Sequence, residues 1–77
     1  MAKKRFNSLV ASIDVIDRET RIVLCHFHYC PLVSGDWENA RDLAVHFVRD
    51  YCVRHNYEVT LYQFIDHYHG ACWSLNS

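Results

Sequence analysis

The sequence predicts an α+β two-layer sandwich of order β-β-α-β(-β), a mainly antiparallel three- or four-stranded sheet with one helix on one face. Two observations carry this: apolar residues recur with a period of two over 9–16, 21–30 and 57–65, and with helical period over 36–55. A single helix covers a single face of such a sheet, so the other face is expected to be open.

The first strand is LVASIDVI, with Leu9, Ala11, Ile13 and Val15 facing one way and Ser12 and Asp14 the other. The polar break Asp17-Arg18-Glu19-Thr20 reads as a hairpin turn, and RIVLCHFHYC, rich in β-branched and aromatic residues, as the second strand. Of its two registers, the one with Val23, Cys25, Phe27 and Tyr29 inside avoids burying His26 and His28. Pro31 to Gly35 forms a loop.

DWENARDLAVHFVRDYCVRH, Asp36 to His55, is the predicted helix. Ala40, Leu43, Ala44, Phe47, Val48 and Tyr51 form its apolar stripe, and Val45 and Val53 project toward solvent. Ser34 and Asp36 are candidate N-caps, Arg54 and His55 favour the C-terminal end of the dipole, and Asn56 is the left-handed stop. Asp50 and Arg54 stand one turn apart as an ion pair. YEVTLYQFI, Tyr57 to Ile65, reads as a third strand, with Val59, Leu61 and Ile65 on one side and Thr60, Tyr62 and Phe64 on the other. The tail either adds a short strand turning at Gly70 or packs Trp73 against the sheet. The helical connection from the second strand to the third is expected to be right-handed and to cross the first.

A chain of 77 residues makes one domain, here 8–77 behind a basic arm at 1–7. Its 51% hydrophobic content argues that it folds. No apolar run reaches membrane-spanning length, and MAKKRFNSLVAS lacks the apolar core of a signal peptide, so the expectation is a cytoplasmic protein with reduced cysteines and no membrane partner. Lys3, Lys4 and Arg5 supply three of the eight basic residues, leaving five against nine acidic ones, which disfavours binding along a phosphate backbone.

Three constellations invite chemistry. Residues two apart in a strand share a face, so His26 with His28, or His67 with His69, could each present two imidazoles to a metal, and together they would make a zinc module. No CxxC or HEXXH spacing accompanies them, and a first strand lying between the pairs would keep them apart, so no metal and no cofactor is assigned. Cys25, Cys30, Cys52 and Cys72 offer no selected nucleophile-base pair, so the expectation is a non-enzymatic protein. Tyr57, Tyr62, Phe64, Tyr68 and Trp73 form a possible stacking platform for single-stranded nucleic acid, against which the shortage of nearby cations argues. Six histidines also allow a pH-dependent interface.

The expected open face, bearing Ile22, Leu24, His26, His28, Tyr62, Phe64 and Tyr68, is too apolar to stay wet. The chain is therefore expected to be a small protein-interaction module that binds a protein partner, or itself as a homodimer, through His26, His28, Tyr62, Phe64, Tyr68 and Trp73. By analogy of size and acidity alone, such domains are frequent among phage and mobile-element accessory proteins that inhibit a host enzyme or defence complex by binding it.

Overall fold

The structure, a computed structural model, describes residues 10–76, so the basic arm at 1–7 and Leu9 lie outside the described residues. Four strands form one antiparallel sheet in the order β2-β1-β3-β4: β1 Ala11–Asp17, β2 Val23–Tyr29, β3 Tyr62–Asp66 and β4 Ala71–Ser74. Helix α1, Asp36–His55, lies against one face. The expected α+β arrangement is present, with β1 between β2 and β3 and a fourth strand turning at Gly70.

The β1–β2 hairpin closes as the polar break requires. Asp17 Oδ1 accepts the backbone N–H groups of Glu19 and Thr20 at 2.8 and 3.2 Å, and Arg21 takes a left-handed conformation at φ 67°. The register has Ile13 opposite Phe27 and Val15 opposite Cys25, then slips so that Ile16 meets Val23. Leu24 is the extra residue of this bulge, and the slip corrects two expectations. Leu24 is half-buried against the core instead of lying on the open face, and Val23, expected inside, is exposed.

The helix has the expected bounds, and Asn56 ends it with φ 58°. Its buried stripe is Ala40, Ala44, Val48 and Cys52, a row of small side chains one turn apart. Leu43, expected in the stripe, is exposed; Val45, expected outside, packs against the core, and Val53 is exposed as expected. Gly35, not Ser34 or Asp36, occupies the N-cap, with φ 84° and no side-chain cap. The Asp36 carboxylate instead accepts the Cys30 backbone N–H at 2.6 Å and ties the end of β2 to the helix start. Asp50 and Arg54 pair at 3.0 Å.

The third strand is where the sequence reading changes most. Val59–Leu61 is a single 3-10 turn, and the strand itself begins at Tyr62. Tyr62 and Phe64, expected on the open face, are buried beneath the helix, whereas Ile65 is half-buried on the opposite side. Volume decides this. A helix whose contact stripe is alanine, valine and cysteine leaves space that only large sheet residues fill, and Phe64, Tyr62 and Tyr29 fill it. Trp73, opposite Phe64 on β4, stacks on its ring at a centroid distance of 5.3 Å and so also lies on the helix side.

Candidate functional site

Two carboxylates, one on each side of the sheet, organise the polar chemistry of the fold.

On the open face, β1 presents Ser12 and Asp14 and β2 presents His28 and His26 directly opposite them. One residue beyond the Ile13–Asp66 pair, His67 emerges beside them. Asp14 is 7% exposed although nothing from another layer covers it, because its neighbours fold over it. Oδ1 accepts the His26 Nδ1–H at 2.7 Å and the Ser12 hydroxyl at 2.8 Å, and His67 Nε2 lies 3.3 Å from Oδ2. Burial pushes the Asp14 pKa up, but the hydrogen bonds from His26 and Ser12, with the charge of His26 and His67, outweigh it and hold the carboxyl below its ordinary value. The His28 ring stands 6.1 Å from that of His26. A shallow hollow of about 420 Å³ lies alongside, bounded by Val10, Ala11, Ser12, His28, His67 and Tyr68.

On the helix side, Asp66 ends β3 with no solvent exposure at all. Its Oδ1 accepts the Tyr29 hydroxyl at 2.7 Å and the backbone N–H groups of Tyr68 and His69 at 3.1 and 3.3 Å. Its Oδ2 accepts the Trp37 indole N–H at 2.6 Å and His69 Nδ1–H at 2.8 Å. Because Nδ1 carries the proton given to Asp66, the nearby Tyr29 hydroxyl, 3.2 Å from it, donates to the carboxylate and not to the ring. Burial again works upward on the Asp66 pKa, and the hydrogen bonds of His69, Tyr29 and Trp37 reverse it, leaving a carboxylate below the usual range. The same burial and the same carboxylate raise the Tyr29 phenol well above its ordinary value, and burial pushes Tyr62 up to about 12. A second hollow, of about 480 Å³, opens beside His69, walled by Pro31, Val33, Ser34, Gly35, Trp37 and Glu38.

The residues singled out from the sequence are thus divided. His26, His28 and the exposed Tyr68 lie at the open face, and His67 joins them. Tyr62 and Phe64 are core residues, and Trp73 belongs to the helix-side layer, so the expected aromatic platform is not formed on the open face. The two histidine pairs do not meet as a group of four, because His69 is taken up by Asp66 on the other side. Among the described residues, no group of three or more His, Cys, Asp or Glu side chains is arranged so that it could hold a metal ion. All four cysteines are free thiols; burial raises the pKa of Cys52, which suits a packing role.

Asp14 and Asp66 are the residues of these two clusters least visible in the sequence. Asp66 carried one signal: an Asp followed by a turn ending in Gly70 is the pattern of a side chain that caps its own turn, as its bonds to the Tyr68 and His69 N–H groups do.

Fold and site together define a small two-layer α+β domain with an imidazole-bearing open sheet face. No family model, curated protein or solved structure matches the chain. No helix among the described residues is long and apolar enough to cross a membrane.

Proposed function

We propose that this chain is a small protein-interaction module, without catalysis of its own, whose contact surface is the open face of the sheet. The observation that supports this is the one-sided layering: the helix covers one face of four strands, and the other carries half-buried Ile16 and Ile65 among His26, His28, His67 and Tyr68. Aliphatic patches framed by imidazoles and a phenol suit a protein surface, where rings bury area and keep a polar end for hydrogen bonding. The contact set is therefore His26, His28, His67 and Tyr68, with Tyr62, Phe64 and Trp73 supporting the face from behind. Five arginines against nine carboxylates among residues 10–76 favour a neutral or basic partner surface and weigh against nucleic acid. In its narrower form the reading is an inhibitor that acts by occupying a site on a larger assembly, as phage accessory proteins do; small size and acidic charge are its support. Free thiols fit a reducing, cytoplasmic setting.

The test is binding compared across faces. Wild type, Tyr68→Ala, His28→Ala and a far-side control, Val53→Ser, are immobilised and exposed to extract of the source cell, and self-association is followed by sedimentation velocity. The expectation is one stoichiometric protein, or a dimer, lost with Tyr68→Ala and His28→Ala and retained with Val53→Ser, all four keeping the same circular dichroism. Equal recovery by all four would rule out the open face as the contact surface.

A further inference from the structure

We propose that the open face closes against the open face of a second copy of this chain, and that protons taken up by His26, His28 and His67 separate the pair. The inference rests on the reading of this face as a contact surface and adds its partner and its control.

The charges of the face argue for a second copy. The titratable groups on this side are Asp14 from β1, His26 and His28 from β2, His67 and Tyr68 from beyond β3, and Cys72 from β4. The helix lies on the other side and contributes none, and Arg18, Glu19 and Arg21 stand on the β1–β2 turn at one end. Asp14 is thus the one carboxylate of this face among the described residues, and Ser12, His26 and His67 cover it. A two-fold contact sets a surface against itself, so every exposed charge on it risks meeting its like. A face whose single carboxylate is buried under its own neighbours escapes that cost, and half-buried Ile16 and Ile65 supply apolar area to remove from water.

The same charges make the contact sensitive to protons. Imidazole is the side chain whose charge ordinarily changes between about pH 5 and 8. The first proton on the face finds a partner, because Asp14 lies 2.7 Å from His26 Nδ1 and 3.3 Å from His67 Nε2 and stays ionised, its pKa being lowered. That proton brings the face from one negative charge to none. A second and a third find no further carboxylate and leave the face positive; His28 stands with its ring 6.1 Å from that of His26. Two sheets packed face to face lie about 10 Å apart, so the uncompensated charges of both copies would be enclosed between them, away from water. The separated chains therefore bind protons better than the pair does. By linkage, acid shifts the equilibrium toward the monomer and association expels protons.

Untagged protein is followed by sedimentation velocity over a concentration series at pH 7.5 and pH 5.5, with circular dichroism confirming the same fold at both. The expected result is a dimer whose dissociation constant is at least about tenfold higher at pH 5.5, since one net proton is worth a factor of about ten per pH unit. His28→Gln, which cannot take up a proton, should shrink that ratio by at least about threefold. His46→Gln, on the exposed side of the helix, should leave it unchanged. Calorimetric dilution at pH 6.5 in two buffers of different ionisation enthalpy should show protons taken up as the pair dissociates. A dimer lost with Tyr68→Ala but equally stable at both pH values, or one whose ratio is the same in His28→Gln, would overturn the proton control while leaving the open face as the contact surface. A monomer at both pH values would overturn the second copy as partner. A dimer indifferent to Tyr68→Ala would overturn this inference and the reading beneath it together.

Discussion

Trp37 donates its indole N–H to Asp66 at 2.6 Å, joining the first turn of the helix to the last residue of β3 through a carboxylate with no contact with water. Tyr29 and His69 complete the same carboxylate, so β2, the helix and the β3–β4 turn share one acceptor. Asp66→Ala should destabilise the domain by on the order of 3 kcal/mol, because it removes the one acceptor that the Tyr29 hydroxyl, the Trp37 indole N–H and the His69 ring share. Urea unfolding measures this, and a loss below about 1 kcal/mol would mean that the hub is dispensable.

Both organising carboxylates also make stability depend on acid. Asp14 and Asp66 have pKa values lowered by folding, so their stabilisation is complete above the unfolded aspartate value of about 3.9 and is lost as pH falls through the lower folded values. Thermal unfolding should therefore show a constant midpoint from neutrality to about pH 5 on account of these two groups, then a falling one. Asp66→Asn should flatten the acid limb. A limb of unchanged slope in that variant would remove Asp66 from the account.

Phe64 and Tyr68 are four residues apart in sequence and opposite in consequence. Phe64 is fully buried and Tyr68 is 60% exposed. Phe64→Ala should lose about 3–5 kcal/mol, enough to unfold a domain of this size, whereas Tyr68→Ala should stay within about 0.5 kcal/mol and report on binding alone. Comparable losses in the two variants would contradict the placement of β3.

The small helix stripe sets the spacing of the two layers. Ala44, with no exposure, sits at its centre, and Ala44→Leu should overpack the interface by about 1–3 kcal/mol. Leu43→Ala, next to it but exposed, should change stability by less than about 0.5 kcal/mol. Chemical denaturation of the pair checks both values.

Periodicity made the helix legible from Asp36 to Asn56, and alternation gave β1 and the facing of His26 and His28. What escaped was the assignment of faces in the third strand. Val59, Leu61 and Ile65 look like a core set because they are aliphatic, yet the 3-10 turn lets Val59 and Leu61 reach the core edge without being in the strand, and Ile65 goes to the other side. The clue lay elsewhere, in the Ala40-Ala44-Val48-Cys52 row, whose small volume calls for aromatic partners from the sheet. Asp14 and Asp66 could be seen as polar residues in strands, and Ser12, Tyr68 and His69 are local partners, but the others are brought together only by the fold: His67 reaches Asp14 from the end of β3, and Trp37 reaches Asp66 from the helix.

The bulge at Leu24 bears on how the sheet ends. β2 is an outer strand, and a straight seven-residue border would invite a strand of another molecule to continue the ladder. The slip between Val15 and Ile16 bends that border near its start, and at the far border β4 presents only four residues. Both margins are thereby poor templates for growth, so association by edge-to-edge strand pairing is discouraged.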